Sequence, residues 1–217
     1  MENANDTTTF SPLLVEEEPL PRSSLDSNIF FKYMRTCVAE MLATATFVFV
    51  GVCSSHYIYD AAFTHDAAFT HAFILFVNVA ATANVSGGHL NPAVTLAMTI
   101  VRAIPVQLAP FYVMAQLLGA IIGAGLARAV MRSADYDDVI GGVHVLHDGV
   151  SAGEGMLAEA VATSILVLAV LMVAFDENNK SVLGPLAIGL AVGGGIFAIG
   201  GISGGSMNPA RSFGPAV

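Results

Sequence analysis

Read from its N-terminus, the chain sets long apolar runs between short polar breaks. Its first 35 residues are polar and proline-interrupted, with Glu16, Glu17 and Glu18 followed by Pro19 and Pro21. Such a stretch predicts a disordered tail over 1–35, and it has no short apolar core with a cleavage site, so it is not a signal peptide. Five runs follow: Thr36 to Cys53, Ala67 to Val85, Ala103 to Ala127, Gly155 to Phe175 and Val182 to Ile202. Each is close to the roughly 20 apolar residues that carry a helix across a bilayer. The acids, bases and histidines inside them are Glu40, His71 and Glu159. Each run is expected to be a transmembrane helix. Gly119 and Gly123 form a small-xxx-small pair that lets a neighbouring helix approach closely.

Composition agrees with that pattern. Of 217 residues, 55% are apolar and only 12% charged, about half the charge that a soluble domain carries. The net charge of −9 excludes a nucleic-acid binder built on a basic face. Cys37 and Cys53 are the two cysteines, and sixteen helical residues put them about 24 Å apart, too far to pair. Arg22, Lys32 and Arg35 cluster before the first span, whereas residues 54–66 hold two Asp and two His and no base. The positive-inside bias therefore predicts a cytoplasmic N-terminus. Lys180 then lies on the same side, and the acidic stretch from Asp135 to Asp148 lies outside. On this orientation the sequons at Asn5 and Asn179 should both lack sugar.

One internal repeat organises the chain. Residues 86–95 read SGGHLNPAVT and residues 203–212 read SGGSMNPARS, 117 positions later. AEMLAT at 39–44 matches AEAVAT at 158–163, so Glu40 and Glu159 hold equivalent places. Three spans separate the two Asn-Pro-Ala boxes, and three is odd. Whatever enters the membrane at the first box from one side must enter at the second from the other, which is an inverted-topology repeat.

The boxes themselves predict broken helices. Asn is a favoured N-cap and Pro a favoured first helical residue, while the preceding glycines allow a sharp turn. Asn91 to Val101 makes about 16 Å of helix, half of a ~30 Å hydrocarbon core. Irregular backbone at that depth survives only when buried in protein or lining a wet cavity. Two half-helices should therefore meet N-terminus to N-terminus near the midplane, each bringing roughly half a positive charge. Cations and protons are repelled there, and the Asn91 and Asn208 amides offer donors to a passing oxygen. These residues imply a pore for small neutral molecules.

Paired Asn-Pro-Ala boxes in inverted repeats resemble the aquaporin (major intrinsic protein) family over about residues 33–217. The resemblance implies an all-α membrane protein, an inverted-repeat helical bundle with two re-entrant half-helices, functioning as a homotetramer with one pore per subunit and no cofactor, metal or nucleic acid. The channel domain then covers 36–217, with repeat 1 at about 36–130 and repeat 2 at about 155–217. Five of the family's six spans are present. The expected reason is a fragment, a shortened isoform or an incomplete gene product. The pore boxes are Asn91, Pro92, Ala93, Asn208, Pro209 and Ala210. Glu40 and Glu159 resemble the family's buried glutamates, which anchor the loop before each half-helix.

The family's outer constriction maps onto His71, Ile196, Gly205 and Arg211. That set resembles the aquaporin-8 branch and some plant vacuolar aquaporins, and it implies passage of water, ammonia and hydrogen peroxide. Ser212 stands where aquaglyceroporins carry Asp, which disfavours glycerol. Ser206 stands where the aquaporin-8 branch carries a mercury-sensitive Cys, so block by mercurials should be weak unless Cys53 or Cys37 mediates it. Two rival readings remain: a gated ion or proton channel, and a non-conducting partner in the assembly of full-length subunits. No nucleophile–base pair or metal-ligand cluster occurs at a useful spacing, so an enzyme is not expected. His144 and His147, beside acids, are expected to be solvated loop residues.

Overall fold

A computed structural model describes residues 22–55 and 64–217, and every structural statement below concerns those residues. They form α1 (Arg22–Ser54), α2 (Thr64–Ser86), the short α3 (Pro92–Ile100), α4 (Ala109–Val130), α5 (Ser133–Asp138), α6 (Ala152–Val170), α7 (Gly184–Ser203) and the short α8 (Pro209–Ala216). Five of these helices are long and apolar enough to cross a membrane, one for each predicted run. Apolar side chains such as Phe73, Leu118, Leu126, Ile165 and Leu190 face outward, more than half exposed. A bilayer is the solvent such a surface requires.

Three of the boundaries that differ from the sequence expectation have a clear local cause. The polar pattern predicts a tail reaching residue 35, yet α1 begins at Arg22. Pro21 is the last proline before it, and nothing between Arg22 and Thr36 breaks a helix. The part of the tail before Arg22 lies outside the described residues. The third span was expected from Ala103, yet α4 begins at Ala109. Arg102 takes a positive φ of 61°, and residues 105–108 form a turn in which the Leu108 N–H donates to the Pro105 carbonyl. Pro105 disfavours helix in the residue before it, whereas Pro110 sits in the first turn, where it is tolerated. The fourth span starts early, at Ala152, because Ser151 and Glu154 form a reciprocal capping box.

Packing follows the repeat. α1 lies against α4 and α2, α6 against α7, and α2 against α7 joins the two halves. Gly119 and Gly123 bring α4 so close to α1 that an added Cβ would strike the Met41 and Ala45 carbonyls. Gly189 and Gly193 of α7 do the same against Ala72 and Ala68 of α2. The first of these contacts is the one the glycine spacing predicts. Of the short helices, α3 packs on α4 and α6, and α8 packs on α4.

Candidate functional site

Each short helix starts on its asparagine. Asn91 is extended (φ −152°) and its Oδ1 accepts the Ala93 N–H at 2.8 Å. Asn208 likewise caps α8, accepting from the Ala210 and Arg211 N–H groups at 3.0 and 3.3 Å. The other end of each amide reaches across the molecule. Asn91 Nδ2 donates to the Met207 carbonyl at 2.8 Å, and Asn208 Nδ2 donates to the Leu90 carbonyl at 2.9 Å. Leu90 and Met207 turn those carbonyls inward by adopting positive φ, 52° and 51°, a conformation that side-chain-bearing residues rarely take. Both are fully buried, which holds the strain.

The two helix N-termini therefore face each other. Each amide has two N–H groups, and one is already committed to the opposite box. Both asparagines also line a neck of about 10 Å³, together with Phe47, Val79, Val94 and Val192. That is the space of about one water. The neck is apolar except for a few directed polar groups, His89 and Ser206 among them.

The glutamates hold the loops ahead of the boxes. Glu40 is fully buried and accepts from Ser86 Oγ at 2.6 Å, the His89 N–H at 3.0 Å, the Leu90 N–H at 2.7 Å and Gln116 Nε2 at 2.8 Å. Glu159 accepts from Ser203 Oγ at 2.6 Å, the Ser206 N–H at 2.9 Å and the Met207 N–H at 2.7 Å. Serine and both backbone donors correspond through the repeat. Gln116 is a further donor to Glu40, and Glu159 is half-buried, beside a cavity of about 400 Å³ between α6 and α8. Nothing in the repeat motif itself points to Gln116. A polar residue in the otherwise apolar α4 is the signal that could have found it.

His71, Ile196, Gly205 and Arg211 come together around a second cavity of about 480 Å³. The His71 Nδ1 is 2.7 Å from the Ala67 carbonyl, which accepts only, so Nδ1 carries the proton and Nε2 is free to accept. Arg211 Nε donates to that Nε2 at 3.4 Å, and its Nη1 donates to the Gly142 carbonyl at 2.8 Å. Arg211 is 3% exposed, and among the described residues no carboxylate pairs with it. Its charge adds to the positive end of α8 and is not cancelled. Gly205 has φ +69°, and a Cβ there would lie 3.0 Å from Ile196 Cα. The wall at this point is thus bare backbone against one aliphatic side chain.

His144 departs from the expected solvated position, whereas His147 is exposed as expected. His144 lines the same cavity, and its Nδ1 is 3.4 Å from Ser212 Oγ. The loop is drawn inward because its backbone is tied to the bundle: the His147 N–H donates to the Ile202 carbonyl at 3.1 Å, and Gly142 accepts from Arg211. Burial, then the neighbouring Arg211 and His71, holds the His144 pKa well below its usual 6.5. The imidazole is neutral in the fold but takes up a proton below about pH 6.5 once unfolded, so stability falls as pH drops through that range. The thermal midpoint should therefore be lower at pH 5 than at pH 8, and His144→Asn should shrink the difference. An unchanged difference in that variant would show that His144 contributes none of it.

Comparison with known proteins is consistent with this geometry. The sequence pattern of the major intrinsic proteins matches residues 28–217. The chain is 43% identical over 194 residues to a probable aquaporin TIP-type of Antirrhinum majus, covering 85% of this chain and 76% of that protein. It is 39% identical over 189 residues to aquaporin-8 of Rattus norvegicus, covering 86% and 71%. Among solved structures it is similar to the aquaglyceroporin of Plasmodium falciparum, with a TM-score of 0.70 and 25% identity, covering 85% of this chain and 80% of that one.

Proposed function

Because the chain belongs to the major intrinsic protein family, a family of channels and not of enzymes, we propose that it passes water, ammonia and hydrogen peroxide passively across a membrane and excludes protons and ions. The reciprocal hydrogen bonds of Asn91 to Met207 and Asn208 to Leu90 carry this reading. They leave one N–H on each amide for a solute, at a water-sized neck between two positive helix ends. A water accepting from both asparagines turns its hydrogens away from them, which interrupts proton hopping along a file. Cations meet the α8 terminus and Arg211 in succession. His71, Ile196, Gly205 and Arg211 act as the selecting constriction, with the Arg211 charge held by His71 Nε2 and an otherwise smooth wall. The proposed assembly is a homotetramer with a cytoplasmic N-terminus, and Ser212 in place of an acid disfavours glycerol.

Stopped-flow measurement on vesicles containing the chain tests the proposal. Water and ammonia permeability above empty vesicles, with proton flux at background, is the expected result. Swelling rates equal to those of empty vesicles would overturn the proposal in favour of a non-conducting partner in the assembly of other subunits.

A further inference from the structure

The last full turn of α1 lies behind the constriction, and its contacts there are close. Phe47 and Gly51, one turn apart and so on one helix face, both meet His71. The Phe47 ring stands edge-on to the imidazole with centroids 5.5 Å apart. At Gly51 an added Cβ would fall well inside contact distance of His71 Nε2 and 3.1 Å from both Cδ2 and Cε1. The ring is thus held by the Ala67 carbonyl at Nδ1, by Phe47 on its flank and by bare backbone at Nε2. The next residue, Val52, is fully buried, and its methyl groups would lie 2.7 and 3.1 Å from a Cβ on Gly142. One step of α1 therefore abuts both groups that accept from Arg211: Gly51 abuts the His71 imidazole and Val52 abuts Gly142.

We propose that Gly51 is a positioning residue of the constriction, its missing side chain making the space in which the His71 imidazole stays back and holds the Arg211 guanidinium. A methyl group at this position displaces the ring. Two of its sides are occupied by Phe47 and the Ala67 carbonyl, so the ring moves into the cavity it shares with Ile196, Gly205 and Arg211. The passage narrows and Arg211 loses one acceptor. The size limit of the channel is then set partly by a residue that lines none of the three cavities described above and offers no functional group. This inference rests on the constriction reading proposed above.

A double-mutant cycle tests it in vesicles carrying the full chain. Gly51→Ala should lower water permeability per channel about fivefold, since pore diameter sets passage. Gly125→Ala, at a lipid-facing glycine with open space beyond it, should leave permeability unchanged. In a His71→Ala background the Gly51→Ala step should have no effect, because the ring it displaces is gone. An equal loss in both backgrounds, or no loss in either, overturns the inference. Should Gly51→Ala fail to accumulate, accumulation of the Gly51→Ala/His71→Ala double variant supports the steric pairing, and failure of both overturns it. If His71→Ala alone leaves solute selectivity unaltered, or the wild-type chain is silent, the constriction reading fails. Thermal midpoints of the same proteins then still decide the packing claim. A midpoint lowered by Gly51→Ala and restored by removing the ring upholds it, and no restoration sinks it.

Discussion

Glu40→Ala should all but abolish accumulation of folded protein, whereas Glu159→Ala should lower the thermal midpoint by a smaller and measurable amount. Glu40 receives four donors in a site without solvent: the Ser86 hydroxyl, the His89 and Leu90 N–H groups and the Gln116 amide. Removing the carboxylate orphans the Ser86 hydroxyl and both N–H groups and leaves the Gln116 amide only Thr95 Oγ1, at 2.9 Å. Each buried donor left unpaired costs about 1–3 kcal/mol, and a whole domain is stable by only about 5–15 kcal/mol. Glu159 serves three donors and is half-buried, so its loss leaves fewer groups unpaired in a less closed site. Glu40→Gln should fall between wild type and alanine, since its carbonyl can still accept but its amide nitrogen cannot. Detergent-solubilised yield and melting midpoint measure the series. Equal losses for the two alanine variants would refute the argument from burial.

Arg211→Ala should open the channel to protons and to bulkier neutral solutes. The guanidinium is buried without a carboxylate partner, so its field acts on whatever passes. At a separation of about 5 Å and an effective dielectric near 20, one unit charge repels another by about 3 kcal/mol. That corresponds to roughly a hundredfold in rate. Arg211→Lys separates charge from shape: lysine keeps the charge but cannot span the His71 Nε2 and the Gly142 carbonyl with a rigid fork. It should preserve proton exclusion while relaxing the size limit. Vesicles with an internal pH dye, challenged with urea alongside water, read both properties. A tight Arg211→Ala channel would place the proton barrier wholly at the two asparagine-capped termini.

Much of the fold is legible in the chain because membrane physics acts on local runs. A helix that must cross ~30 Å of hydrocarbon needs about 20 apolar residues, and the five runs are visible without any knowledge of their neighbours. The boxes are legible for a similar reason: capping depends on residues two or three apart, and Asn91 and Asn208 cap the helices that their sequence predicts. Legibility fails where the partner is distant. His144 looks like a solvated loop residue because its neighbours in sequence are polar, yet its neighbours in space are Arg211 and Ser212. Hydrophobicity alone places the start of α4 at Ala103, because it does not register the turn at Pro105. The brace at Gly51 has no signature of its own, since a glycine in an apolar helix reads the same whether or not a ring lies against it.

The sequence alone determined the number of crossings, the two capped half-helices and, through the odd count of spans between the boxes, their opposed entry. Bilayer thickness, capping and parity all act on residues near one another or merely counted in order. Tertiary structure alone decided that each asparagine amide seeks the opposite box, that Gly142 and His71 take the two ends of Arg211, and that Gln116 reaches Glu40. Those pairs lie 69 to 140 residues apart. Only the packing of helices through their glycine contacts brings a given carbonyl to a given donor, and no periodicity along the chain records which one it will be.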